Sequence, residues 1–143
     1  MSRALFDVNV LVALLDASHI DHSRATQWMV SHIQDGWASC ALTQNGLVRV
    51  LSQPRYPNPV APLVAIERLA EACATEYHDY WKCEPSLLDE SVIARRPIQG
   101  SRQITDVYLL ALAVNNGGRL VTFDRSIPVA AVPTAQKRHL LVL

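Results

Sequence analysis

The sequence carries no net charge: 13 Lys and Arg stand against 13 Asp and Glu. A chain that held nucleic acid by bulk electrostatics would be basic. Any such contact here must therefore come from a local patch or from a bound cation. Paired cysteines are missing too. Cys40, Cys73 and Cys83 are odd in number and show no paired spacing. They read as reduced thiols packed in the interior of a protein from a reducing compartment. There is no long hydrophobic run. The apolar start, MSRALFDVNVLVALL, is short and interrupted by Asp7 and Asn9, and it has no cationic lead and no small-residue cleavage site. It predicts a strand running into a helix rather than a signal peptide or membrane span, and so a cytoplasmic protein with no membrane partner. No internal repeat, linker or low-complexity stretch is present. The histidines form no paired metal motif. His19 and His22 would share a helix face, but no cysteine or third histidine stands near them to complete a zinc site.

What is present is the composition of one globular domain covering residues 1–143, with half its residues hydrophobic and 18% charged. A chain of this length buries roughly 68% of its unfolded surface and needs no staples. Ala4 to Phe6 predicts a short strand and Val8 to Leu15 a helix apolar nearly all round, hence buried. Ser18 is a candidate N-cap for a second helix carrying Ala25, Trp28, Met29 and Ile33 at helical spacing, with Gly36 at its end. Trp37 to Leu42 predicts a strand, and Thr43 a cap for a third helix with Leu47, Val48 and Leu51 on its apolar side. The proline-rich segment Pro54 to Pro59 is a stiff loop. Leu63 to Cys73 is amphipathic, with Leu63, Ile66, Leu69, Ala70 and Cys73 in phase. Strands follow at Tyr77 to Trp81 and Arg119 to Phe123, around a helix from Thr105 to Asn115, and His139 to Leu143 is a last strand candidate. Strands alternating with helices predict a parallel, doubly wound sheet of four or five strands with helices on both faces.

Three carboxylates occupy equivalent places in that plan. Asp7 directly follows the first strand, Asp124 follows Leu120-Val121-Thr122-Phe123, and Asp106 opens the helix before that strand, with Thr105 as its cap. In a parallel sheet the carboxyl ends of the strands share one edge with the N-termini of the helices that follow, and ligands bind on that edge. The three acids should converge there. Two such charges repel by about 4 kcal/mol at 4 Å and an effective dielectric of 20. A cation offsets that repulsion, and hard oxygen ligands with open positions suit Mg²⁺ or Mn²⁺. Asn9, just beyond Asp7, supplies a neutral oxygen and an amide donor that can orient a ligand. Against this stands the plain reading that each Asp is a helix-start residue, favoured there by capping and by the helix dipole. Three on one edge favour the cation. The chemistry implied is metal-assisted phosphodiester hydrolysis, with no serine or histidine nucleophile.

The flanking residues add to the acid positions. The segments LFDVNVLVALL, ALTQNGLVRVLSQPRYP and ITDVYLLALAVNNGGRLVTFDRSI, and more loosely HDYWKCEPSLLD, resemble the VapC subgroup of PIN-domain proteins in order and spacing over nearly the whole chain. That resemblance implies a three-layer α/β/α sandwich and a Mg²⁺- or Mn²⁺-dependent endoribonuclease, the toxin of a type II toxin–antitoxin pair. It further implies a homodimer held inactive by a cognate antitoxin protein. Asp7, Asp106 and Asp124 match the family's acidic pocket, and Asn9 its small polar residue after the first acid. One position departs: the slot before Asn45 is acidic in the family and is Gln44 here. Glutamine offers a carbonyl oxygen but no charge, and its two N–H donors are repelled by a cation. Weaker metal binding and slower cleavage are expected. Three readings stay open: a variant active through its three aspartates, a protein that binds without cutting, or a glutamine introduced to blunt a toxic chain.

The remaining candidates are weaker. Arg102 sits in a polar turn four residues before Asp106, placed to grip RNA phosphate or to stay solvated. Arg49 is turned away from Gln44 in helical phase and suits a structural ion pair. Arg55, Arg95, Arg96 and Arg125 suit an RNA-binding rim or plain solvation. Trp28, Trp37 and Trp81 read as core. The stripe from Leu63 to Cys73 suits a dimer face, an antitoxin face or a cover for the sheet. A rival from another class is a phosphatase of the haloacid-dehalogenase kind, which also places an Asp after its first strand. It needs a second Asp two residues on, where this chain has Asn9, and a suitably placed lysine, which Lys82 and Lys137 do not supply.

Overall fold

A computed structural model describes residues 2–143. Five strands form one sheet: β1 (Ala4–Phe6), β2 (Trp37–Ser39), β3 (His78–Tyr80), β4 (Arg119–Thr122) and β5 (Leu140–Val142). Their spatial order is β3-β2-β1-β4-β5, and every neighbouring pair is parallel. Five helices accompany them: α1 (Val8–Leu15), α2 (His22–His32), α3 (Ala41–Ser52), α4 (Pro62–Cys73) and α5 (Gln103–Asn115). The expected three-layer sandwich is present, with the larger of the two expected strand counts.

The inner strands β1 and β4 are apolar and buried on both faces, as a parallel sheet covered on both sides requires, while the edge strand β3 is polar. Leu5 pairs in register with Leu120, and Phe6 with Val121. Because side chains alternate along a strand, Leu5 and Leu120 enter one core while Ala4, Phe6 and Val121 enter the other. The second core is closed by α1 through Val10 to Ala13, by Ala25 of α2, by Leu47 and Leu51 of α3, and by Ala65 and Leu69 of α4. The first is closed by α5, whose seven residues from Val107 to Ala113 are all buried. That helix is covered on its outer side by Ile93, Ile127, Ala131 and Val132 from irregular segments. The chain steps from β1 outward to β2 and β3, then returns through α5 to β4 on the other side of β1. Reversing the direction of winding puts α5 on the opposite face from α1 to α4. It also opens a crevice between β1 and β4 at their carboxyl ends.

Several helix starts differ from the sequence reading. Helix α2 begins at His22, capped at Asp21 rather than Ser18, so His19 lies before the helix; its Nδ1 accepts from the Asp21 N–H at 3.0 Å. Strand β2 stops at Ser39, and the residues expected to extend it open α3 instead. Thr43 is therefore inside the first turn, where its hydroxyl oxygen accepts from the Cys40 N–H at 3.0 Å in a capping box. Helix α5 starts at Gln103, so Thr105 is not its cap, and β3 and β4 are each shorter than expected. A strand begins only where a ladder partner exists, which local pattern does not report. In α4 only Ala65 and Leu69 are buried, while Leu63 and Ile66 of the expected apolar stripe remain 64% and 50% exposed.

Helices α1 and α3 touch where α3 has no side chain. A Cβ built on Gly46 would stand 2.4 Å from Val8 Cγ2. The β-branched Val8 cannot swing aside freely. Gly46→Ala is therefore expected to lower stability by about 1–3 kcal/mol, the usual range for overpacking. Urea unfolding checks this, and a loss below about 0.5 kcal/mol would show that the helices have room to part.

Candidate functional site

Asp7 is the N-cap of α1. The Val10 N–H donates to its Oδ1 at 2.9 Å, and the Thr122 hydroxyl donates to its Oδ2. It is 5% exposed. Burial is the main cause of its raised pKa, and the charge of Asp124 adds to it, against hydrogen bonds from Thr122 and from the Val10 and Asn9 backbones. Thr122, the last residue of β4, uses its hydroxyl twice, since it also accepts from the Asp124 N–H at 3.0 Å. One hydroxyl thus ties the carboxyl end of β1 to the turn after β4.

Asp124 is held from its other side. The Ser126 N–H and hydroxyl both donate to its Oδ1, at 2.8 and 2.7 Å. Those bonds keep its pKa below the ordinary carboxylate value, helped by a hydrogen bond from Asp106. Asp106, in the first turn of α5, is the opposite case. Burial, then the charges of Asp7 and Asp124, and its hydrogen bond with Asp124 push its pKa up to about 7. Asp106 is the proton donor of that pair. The three aspartates expected to converge therefore do sense one another across the β1–β4 crevice.

Among the described residues, no three carboxylate, imidazole or thiolate groups stand close enough to form a ready-made cation cage. The two observations agree for a cation that keeps part of its water. Mg²⁺ binds through one or two carboxylates and retains several waters. A half-buried acid held protonated by like charges is the donor chemistry that such a cation relieves. The residues present fit a partly hydrated divalent ion.

Asn9 is exposed in the first turn of α1, and its backbone N–H is aimed at the Asp7 carboxylate. Arg102 is exposed at the N-cap of α5 and makes no side-chain cap bond. Gln44, near the start of α3, donates from its Nε2 to Ser39 Oγ at 3.0 Å. With Arg49 it lines a cavity of about 560 Å³ between α3 and α4. Arg49, five residues on and out of phase with Gln44 along the helix, lines the same cavity because α4 stands across from both. It does not form the expected ion pair; those among the described residues are Arg24–Asp21 and Arg95–Glu90. Trp37 and Trp81 are core, while Trp28 is half-buried and stacks on His32 with ring centroids 4.1 Å apart. All three cysteines are free, but only Cys40 is buried; Cys73 is half-buried and Cys83 exposed. Thr122, Ser126 and Ser39 escaped the sequence reading. A hydroxyl ending the otherwise apolar strand Leu120 to Phe123, and a serine two residues after an aspartate, were the signals for the first two.

The pKa of Asp106 has a consequence for the metal-free protein. The folded chain keeps this proton up to about pH 7, whereas the unfolded chain releases it near 3.8. Between those values the folded state binds more protons, so stability falls as pH rises through the window. Asp7 acts in the same direction and Asp124 in the other. Asp106→Asn is expected to flatten the decline and to raise the melting temperature at pH 8 in chelator. Parallel melting curves for the two proteins across the window would exclude the coupling.

The PIN domain family matches residues 4–133. Ribonuclease VapC44 of Mycobacterium tuberculosis (strain ATCC 25618 / H37Rv) is 57% identical over 141 residues, 99% of each chain. Ribonuclease VapC38 of the same strain is 42% identical over 125 residues, covering 87% of this chain and 86% of that one. Ribonuclease VapC39 is 36% identical over 129 residues, covering 90% and 93%. Matched over residues 4–133 by the family model and almost end to end by these relatives, the chain belongs to the PIN-domain family, in its VapC branch.

Proposed function

We propose that this chain is a metal-dependent endoribonuclease, the toxin of a type II toxin–antitoxin pair, with Asp7, Asp106 and Asp124 as its cation-holding acids. The observation that carries the reading is the nearness of these acids at the sheet's switch point, where burial, and then the charges of Asp7 and Asp124, keep Asp106 protonated to about pH 7. The relatives named ribonucleases support the reaction class.

The chemistry that Mg²⁺ or Mn²⁺ supplies when bound is Lewis-acid activation of water and neutralisation of charge on the phosphodiester. The chain's own residues prepare the site. Asp7 is fixed by the α1 N-terminus and by Thr122, so it meets a ligand without reorganising. Ser126 holds one Asp124 oxygen, leaving the other toward Asp106. Asp106 holds a proton near neutrality on its carboxyl, and must release it when a cation loads. The exposed amide of Asn9 lies next to Asp7, available to orient a ligand. Arg102, at the mouth of α5, supplies a cation for RNA phosphate. The cognate antitoxin and a second copy of the chain are the protein partners of this reading, and the exposed Leu63 and Ile66 offer apolar surface to one of them. Among the described residues no helix is long and apolar enough to cross a membrane.

A second reading has its own observation. Gln44 carries no charge, and its amide is bonded to Ser39. A weakened or inactive PIN domain that binds RNA or antitoxin without cutting has this feature. Cleavage of a labelled RNA pool in Mg²⁺ and in Mn²⁺ separates the two. Cutting by the chain as it stands, lost at least about a hundredfold in Asp7→Asn and about tenfold in Thr122→Val, is the result expected of the enzyme. Cutting only by Gln44→Glu is the result expected of the binding module. Equal cutting by Asp7→Asn and the parent overturns the site assignment.

A further inference from the structure

The absence of net charge conceals a division along the chain. Residues 1–90, which build β1 to β3 and α1 to α4, carry eleven Asp and Glu against six Lys and Arg. Residues 91–143, which build α5, β4 and β5, carry seven Lys and Arg against two acids, and those two are Asp106 and Asp124 of the site. The β1–β4 crevice lies where the two halves meet. One bank therefore belongs to the acidic half. The other, apart from the site's own carboxylates, is basic, and a cleft bordered by one sign of charge draws ligands of the other sign.

The structure selects among the seven cations. Arg119 opens β4, and Lys137 and Arg138 precede β5, so these three lie at the opposite edge of the sheet. Arg95 is paired with Glu90 at 3.3 Å. Arg96, Arg102 and Arg125 remain. All three are exposed, and none has a side-chain hydrogen bond or ion pair among the described residues. Arg102 is the N-cap of α5, four residues or ~6 Å along the axis before Asp106. Arg125 directly follows Asp124. Gln103 draws their segments together: its Nε2 donates to the Ser126 carbonyl at 3.4 Å, and its Oε1 accepts from the Gln99 N–H at 2.9 Å. One side chain thus sets the turn that holds Arg125 against the loop that leads from Arg96 to Arg102.

Resting on the ribonuclease reading, we propose that the α5 bank is the track of the RNA strand. Arg102 and Arg125 hold phosphates beside the one at the acids, and Arg96 extends the track outward. The strand then leaves the crevice over the basic half of the chain and not over the acidic half. A guanidinium suits this role, because its planar donors match phosphate oxygens, and these three give up no carboxylate partner on binding. The track also offsets a cost. A polyanion brought to three carboxylates is repelled beyond the single phosphate that a bound cation neutralises. An acidic protein would be drawn to the same charges, but two of the arginines stand beside the acids where the cut is made, which favours the nucleic acid.

The test is the salt dependence of RNA binding. A fluorescent single-stranded RNA is titrated by anisotropy over a series of KCl concentrations at fixed Mg²⁺, on an Asp7→Asn background that prevents cutting. Each phosphate contact on a single strand steepens the fall of log affinity with log salt by about 0.7. Arg96→Ala, Arg102→Ala and Arg125→Ala are therefore each expected to flatten the slope by about 0.7, and the triple variant by about 2. Arg125→Lys keeps the charge and is expected to keep the slope. Arg55→Ala, exposed beyond the end of α3 in the acidic half, is expected to leave it unchanged. A merely structural role would lower the melting temperature and not the slope. A triple variant with the parent's slope overturns the proposal and leaves these charges to an acidic protein partner. So does an Arg55→Ala effect as large as theirs, which would mean general attraction without a track. Should the triple variant fail to fold, the three single variants decide by the same slopes. If the slopes flatten as expected but the chain cuts no RNA with either metal, the track stands and the ribonuclease reading falls. If the chain cuts and the slopes do not move, the track alone falls.

Discussion

The hydroxyl of Thr122 stands between two strands that are remote in sequence and adjacent in space. It donates to Asp7 after β1 and accepts from the Asp124 backbone after β4. Everything at the site depends on β1 and β4 lying side by side in register, because only then does one oxygen reach both. That adjacency follows from the reversal of winding after β3, which also sends α5, with Asp106 in its first turn, to the other face. The crevice is a product of topology, and the acids are attached to its rim by strand ends and helix starts.

The same closeness costs stability when no cation is present. Each acid is handled differently. Asp124 is compensated by Ser126, Asp7 is compensated in part by Thr122 and the start of α1, and Asp106 has no such donor and keeps its proton. Two of the three are therefore held by neighbouring donors, and the third keeps its proton. The absence of a closed cage among the described residues fits this division: two fixed acids and a titrating one leave open positions where a cage would leave none.

Much of this was legible in the sequence. The strand ends at Phe6 and near Phe123, the position of Asp106 at a helix start and the alternation of elements are readable in the sequence alone, and they put the three acids on one edge of the sheet. The parts that escaped are set by tertiary pairing. Ser39 ends β2 because β3 stops there too, and that turned three residues expected in a strand into the opening of α3. Arg49 and Gln44 share a surface because α4 stands across from both, which helical phase alone does not report. The Ser39–His78 bond joins residues 39 apart on neighbouring strands. Nothing in their local pattern marks either as a partner of the other.

Gly46 gives the arrangement a mechanical property. With Val8 filling the place of its missing side chain, α3 bears directly on the first residue of α1, beside the cap formed by Asp7. There is no soft layer between them to absorb displacement. Any displacement of α3 toward α1 therefore falls on Val8, the residue next to the Asp7 cap.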